Sequence, residues 1–102
     1  MRENMTKKLR DLISEPGILV KPGAYNPLSA MIIQEAGFPC CGISGYAVSV
    51  SLLGKPDVGF ITANELEMVT RYVTNAISIP VLVDVDTGFG NAINVMRTTE
   101  DF

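Results

Sequence analysis

The chain has no histidine. That absence removes the commonest general base, the Ser-His and Cys-His nucleophile pairs, and every zinc site built on imidazole. Cysteine is almost as scarce. The only two, Cys40 and Cys41, are adjacent, too close for an ordinary unstrained bridge, and read as reduced, partly buried thiols. No run of Lys and Arg extends beyond Lys7-Lys8, and the formal net charge is −3, so no basic surface is offered to nucleic acid or to an anionic membrane. No apolar stretch approaches the roughly 20 residues that span a bilayer. The first residues, MRENMTKKLRDL, lack the apolar core of a signal peptide, which makes the cytoplasm the expected location.

What is present is 102 residues, 47% apolar and 19% charged. Such a chain can build one small globular domain and no more. Met5 to Ser14 sets Leu9, Leu12 and Ile13 at helical spacing among Lys7, Lys8, Arg10 and Asp11, which predicts an amphipathic helix ended by Pro16-Gly17. Ile18-Leu19-Val20 reads as a first short strand running into Pro22-Gly23-Ala24-Tyr25. Asn26 has the type of a helix cap and Pro27 suits the first turn of a helix that continues through Leu28, Met31 and Ile32 to Gly37.

Cys41 to Ser44 is a second short strand, which opens into a turn at Gly45-Tyr46 and a small-residue segment as far as Gly54. KPDVGF, residues 55–60, is a loop that carries Asp57. Thr62 and Glu65 form a capping box ahead of an apolar stripe of Leu66, Val69, Val73, Ala76 and Ile77. Val81-Leu82-Val83 is the third strand, and Asn91 caps a last helix with Ile93, Val95 and Met96 apolar. Strands alternating with helices predict an α/β fold with parallel strands joined by right-handed crossovers. Three strands would leave the third as an open edge, so residues 1–102 read as a single incomplete domain, the front part of a larger one.

The turns after the strands are rich in Gly, Tyr, Ser and Asp, and α/β proteins bind ligands at the carboxyl ends of their strands. In PVLVDVDTGFGN, residues 80–91, an apolar run delivers Asp84 and Asp86 to a strand end. Residues two apart on a strand point to one side, and two like charges buried there call for a cation. Mg²⁺ is the simplest, because it takes one or two carboxylates and keeps several waters. A pair of loop or helix-capping carboxylates is the plainer reading. The D-x-D string also resembles the haloacid dehalogenase-type phosphatases, although Gly88 stands where they carry Thr or Val, and the nucleotide-sugar site of glycosyltransferases. Ser44-Gly45-Tyr46 is the second such stretch: glycine lets backbone N–H groups approach an anion and the hydroxyl adds a donor, against a simple turn with Tyr46 over the core. Gly88-Phe89-Gly90 is not a dinucleotide fingerprint. Asp57 reads as a solvated turn residue or as a third acid, and Tyr25 is equally open.

Three segments in order, PGAYNPLSAMIIQEAGF, GISGYAVSVSLLGKPDVGFIT and PVLVDVDTGFGNAINVMRT, resemble the isocitrate lyase/phosphoenolpyruvate mutase superfamily, and most of all its methylisocitrate lyase and 2,3-dimethylmalate lyase-like members. The resemblance implies the amino-terminal portion of a (β/α)8 TIM-type barrel, about three βα units and a leading helix. It implies a Mg²⁺-dependent carbon–carbon lyase, with Mn²⁺ as the alternative ion, acting on a small 2-hydroxy di- or tricarboxylate through a metal-stabilised enolate. Asp84 and Asp86 match the metal-holding aspartates, Ser44, Gly45 and Tyr46 the substrate-carboxylate segment, and Asp57 a catalytic-end acid. A homo-oligomer, a tetramer, is implied for the full-length form.

The same resemblance implies a catalytic loop, K-[KR]-C-G-H, with no counterpart in residues 1–102, and Cys40 and Cys41 do not match its cysteine. Asn26 stands where many relatives have Asp. Phosphoenolpyruvate phosphonomutase and oxaloacetate decarboxylase or hydrolase are the alternatives within the superfamily. A truncated, non-catalytic α/β fragment is the alternative of another class.

Overall fold

The computed structural model describes residues 4–102, in the order α1 (Met5–Ser14), β1 (Gly23–Ala24), α2 (Pro27–Glu35), β2 (Cys41–Ile43), α3 (Gly45–Val48) running into a π-helical segment (Ser49–Leu53), α4 (Ala63–Ala76), β3 (Val81–Val83) and α5 (Ala92–Asp101). The strands form one parallel sheet in the order β1-β2-β3, with Gly23 opposite Gly42 and Cys41, Gly42 and Ile43 opposite Val81, Leu82 and Val83. This is the parallel α/β arrangement expected of the sequence, with β3 on an edge. No helix among the described residues is long and apolar enough to cross a membrane.

Local chemistry starts the helices. A helix leaves its first N–H groups without intrahelical acceptors; the Asn26, Thr62 and Asn91 side chains accept those of Ser29, Glu65 and Asn94 respectively, Asn91 also that of Ile93, with the side chain of the third helical residue reaching back in a capping box. Each such cap contributes about 1 kcal/mol. Asn4 caps α1 in the same way, through the N–H of Lys7.

The core lies between the sheet and α2 and α4, where Ala24, Ala30, Ile33, Cys41, Ile43, Val48, Leu66, Val69 and Val73 are buried. The stripe read from α4 is the one that packs. On α2 the buried residues are Ala30 and Ile33, while Leu28, Met31 and Ile32 face outward.

Two readings of the sequence are corrected. Ile18-Leu19-Val20 is not a strand: Ile18 is 93% exposed, and the ladder begins later, where Gly42 N–H donates to the Pro22 carbonyl at 2.8 Å and Ser44 N–H to the Ala24 carbonyl at 3.1 Å. The reason is the partner, since β2 starts at Cys41, whose N–H is already bonded to the Pro80 carbonyl on the other side. The segment from Gly45 to Leu53 is helical and not a turn followed by a small-residue run, because the Ser44 side chain caps it.

Candidate active site

At the carboxyl end of β3 the strand's alternation continues beyond its last ladder residue. Val81, Val83 and Val85 pack against the core, while Leu82, Asp84 and Asp86 face out. Asp84 and Asp86 both stand just beyond the end of β3. They are exposed and not buried, which corrects the expectation that their charge is carried into the interior. The chain then turns sharply: Asp84 Oδ1 accepts the N–H of Asp86 at 2.9 Å, and Asp86 and Phe89 adopt φ of 51° and 63°. Left-handed residues other than glycine store strain that the surroundings must hold. Val85 and Phe89 provide the hold by packing on the core, and the Thr98 hydroxyl of α5, only 6% exposed, donates to the Gly88 carbonyl at 2.8 Å.

The second wall comes from the end of β2. Ser44 Oγ accepts the N–H of Ala47 at 3.2 Å, which leaves its own proton free to donate. Gly45 and Tyr46 are the first two residues of α3, so their N–H groups have no carbonyl one turn earlier within the helix and face the strand end. Tyr46 is 64% exposed and does not cover the core.

Asp57 arrives through a device not recognised in the sequence. Ser49, 1% exposed, sits in the π-helical segment, and its hydroxyl lies 2.9 Å from the Lys55 carbonyl and 3.1 Å from that of Pro56. It ties the 55–60 loop to the helix, and the Lys55 ammonium stands 5.1 Å from the centre of the Phe60 ring. A run of small residues with two serines inside gave no sign of this, because the acceptors lie in the loop that follows. Ser49→Ala is expected to cost about 1–2 kcal/mol in urea unfolding and to speed hydrogen exchange in residues 55–60.

These three pieces meet in one cleft of about 350 Å³, lined by Ser44, Gly45, Tyr46, Asp57, Asp84 and, unforeseen, Lys21. Both Asp57 carboxylate oxygens stand 3.9 Å from where a Cβ on Gly45 would be. Asp86 lies beside the cleft and not in its lining. Although the residue is exposed, its carboxyl is raised above the ordinary value, first by slight desolvation and then by the charges of Asp84 and Asp57, so the three acids share one field. Tyr25 lines a different crevice, against α4. Cys40 and Cys41 are buried at the start of β2, and burial pushes both thiols up against the pull of Lys21, the opposite of an activated thiolate. A smaller apolar crevice of about 240 Å³, between Leu9 and Ile79, carries no acid.

Among the described residues, no group of three or more His, Cys, Asp or Glu forms a ready-made metal cage. What the cleft offers is hard carboxylate oxygen in small number, with no imidazole or accessible thiolate. That set fits Mg²⁺ or Mn²⁺, which complete their shells with water and substrate oxygens, and does not fit zinc.

A family model described as phosphoenolpyruvate phosphomutase matches residues 9–102. The chain is 52% identical over 91 residues to carboxyvinyl-carboxyphosphonate phosphorylmutase of Arabidopsis thaliana, covering 88% of this chain and 27% of that protein. It is 48% identical over 93 residues to 2-methylisocitrate lyase of Aeropyrum pernix, covering 91% and 30%. A crystal structure of 2,3-dimethylmalate lyase, a member of the PEP mutase/isocitrate lyase superfamily, superposes with a TM-score of 0.88 at 34% identity, covering 99% of this chain and 36% of that one. Phosphonopyruvate hydrolase in complex with oxalate and Mg²⁺ superposes with a TM-score of 0.90 at 30% identity, covering 97% and 35%. The chain thus spans between 27% and 36% of the length of these four proteins.

Proposed function

From a chain that belongs to the phosphoenolpyruvate phosphomutase family, we propose the amino-terminal part of a (β/α)8-barrel carbon–carbon lyase that cleaves a 2-hydroxy di- or tricarboxylate of the dimethylmalate or methylisocitrate type. The observation that carries this reading is the meeting of Asp57 and Asp84 with Ser44, Gly45 and Tyr46 in a single cleft, with Asp86 in the same field.

In this reading Asp84 and Asp86 hold Mg²⁺, directly or through water. The ion would supply charge neutralisation to the oxygen on C2 and to the enolate that follows. The rest belongs to the chain's own groups. The N–H groups of Gly45 and Tyr46 and the Ser44 hydroxyl bind the carboxylate next to C2 and fix its plane. Asp57 accepts a hydrogen bond from the substrate hydroxyl or from a bound water and orients it. When the hydroxyl proton passes to the Asp57 carboxylate, directly or through that water, C2 becomes a 2-oxo carbon, and the C2–C3 bond breaks with its electron pair moving to C3. C3, next to the second carboxylate, becomes the enolate carbon and takes a proton. With no histidine in residues 1–102 and both cysteines buried, the group that donates that proton is assigned to the remainder of the barrel. The full-length protein is proposed to be a homotetramer, and residues 1–102 by themselves to bind Mg²⁺ weakly and turn over nothing.

Gly45→Ala tests the carboxylate assignment. Its Cβ would meet only the Asp57 oxygens, at 3.9 Å, an ordinary contact, so the fold should be unchanged within about 0.5 kcal/mol. The methyl group enters the cleft, however, and the full-length protein is expected to show a KM for 2,3-dimethylmalate raised about tenfold or more, corresponding to roughly 1.4 kcal/mol of lost binding. An unchanged KM would remove Gly45 from the site.

The identity to the Arabidopsis phosphorylmutase favours a second reading, phosphorus–carbon chemistry in the same cleft. Phosphonopyruvate and 2,3-dimethylmalate offered to the same preparation separate the two.

A further inference from the structure

Lys21 lies outside every segment that led to the reading above, and that reading gives it no work. It precedes β1, and its side chain lies flat across the outward face of the sheet. Nζ, Cε and Cδ come within 3.0, 3.2 and 3.3 Å of where a Cβ on Gly42 would stand. Any side chain at position 42 would have to displace it, and the residue paired with Gly42 on β1 is Gly23, also without a side chain. Two glycines in register therefore clear a floor between β1 and β2, and the ammonium rests on it.

Of the residues lining the cleft, Lys21 is the cationic one. Among the described residues no carboxylate comes within ion-pair distance of it, although Asp57 and Asp84 line the same cleft. A primary ammonium over bare backbone, in a cleft open enough for a ligand, has no anionic partner among the described residues. Once a ligand displaces the water, leaving that charge unpaired becomes costly. The acids and the Ser44–Tyr46 amides already account for the metal and for the carboxylate beside C2. The ammonium stands one layer further down the sheet, at the level of Gly42 and Leu82.

Resting on the lyase reading, we propose that Lys21 receives the second carboxylate of the substrate and thereby selects di- and tricarboxylates over 2-hydroxy acids with a single carboxylate. Lys21 is thus a specificity-determining residue, and Gly42 is the vacancy that lets its side chain lie there.

The test uses the full-length protein, with Lys21→Met, which keeps the length of the stem, and Lys21→Arg. Both changes keep a long side chain over Gly42, and a urea unfolding curve for each variant separates loss of binding from loss of fold. For Lys21→Met the KM for 2,3-dimethylmalate is expected to rise about 10- to 100-fold, the worth of one hydrogen bond to a charged group, with kcat within about threefold. The inhibition constant of pyruvate, which has one carboxylate, should not move, and Lys21→Arg should recover part of the loss. An unchanged KM in Lys21→Met, or an equal loss of pyruvate and dicarboxylate binding, overturns the assignment and leaves the lyase reading standing. If the wild-type protein turns over no 2-hydroxy dicarboxylate, the lyase reading fails, and Lys21 is then judged by calorimetric binding of succinate against propionate in the presence of Mg²⁺. Succinate weakened about tenfold or more by Lys21→Met, with propionate unchanged, supports the assignment. Equal or undetectable binding of both acids overturns it.

Discussion

Asp84→Asn in the full-length protein is expected to lower kcat/KM for its carboxylate substrate by about a hundred- to a thousandfold while leaving the fold intact. The two halves of this expectation have separate causes. Asn keeps a side-chain oxygen where Asp84 Oδ1 accepts the Asp86 N–H, so the turn that sets the acidic loop survives. Asp84 is exposed, and removing its charge relieves Asp86, whose carboxyl is raised partly by that neighbour. Stability should therefore be unchanged within about 0.5 kcal/mol, or slightly higher. Function should not be spared. A neutral amide is a poor ligand for Mg²⁺, and losing one preorganised stabiliser of developing charge typically costs 10²- to 10³-fold, about 2.7–4 kcal/mol. Calorimetric titration of Mg²⁺ into wild type and variant, beside a urea unfolding curve for each, checks both halves. A variant that binds Mg²⁺ as tightly as wild type would remove Asp84 from the metal site.

Gly88→Ala is expected to have the largest effect on stability. Gly88 has φ of 96°, a conformation that costs an L-residue about 1–3 kcal/mol. In addition, a Cβ there would stand 2.5 Å from Cγ2 of Val95 and 3.1 Å from its Cβ. These are branched side-chain atoms close to the backbone of α5, so relief requires moving the helix, and overpacking of this kind costs a further 1–3 kcal/mol or so. Together these amount to about 2–6 kcal/mol. The double variant Gly88→Ala/Val95→Ala removes the two Cγ contacts, leaving the Cβ contact at 3.1 Å and the backbone strain, and should recover up to roughly half of the loss relative to Val95→Ala alone. The movement passes straight to the site, because the Gly88 carbonyl is what Thr98 holds. Urea midpoints of the four proteins measure this. A destabilisation of less than about 0.5 kcal/mol in Gly88→Ala would mean that the loop is not held as described.

Much of this was legible in the residues, for local reasons. Capping is short-range chemistry, and Asn26, Thr62 and Asn91 announce their helices from the side chain alone. The stripe on α4 and the alternation through Val81–Asp86 are periodicities, which need no partner to be seen. What was not legible depended on partners distant in sequence. Ile18-Leu19-Val20 has strand composition, but strand identity belongs to the ladder, and β2 and Pro80 leave it nothing to pair with. Helix continuation past Tyr46 was hidden in a run of Ser, Val and Ala with weak preference. Ser49 was silent because its acceptors, the Lys55 and Pro56 carbonyls, lie in the next loop. Lys21 meets the site only through the register that sets Gly23 against Gly42. The candidate site divides in the same way: Asp84, Asp86, Asp57 and Ser44–Tyr46 stand at strand ends that composition marks out, while the groups that hold or flank them do not.

The central claim is that these strand ends form the metal and carboxylate end of a carbon–carbon lyase. Its most direct test is release of a 2-oxo acid from 2,3-dimethylmalate and from 2-methylisocitrate by the full-length protein, followed spectrophotometrically with Mg²⁺ and again with chelator. Turnover of at least one of the two, abolished by chelator and restored by Mg²⁺, is the predicted result. No turnover of either, alongside Mg²⁺-dependent consumption of phosphonopyruvate or of oxaloacetate, would contradict it.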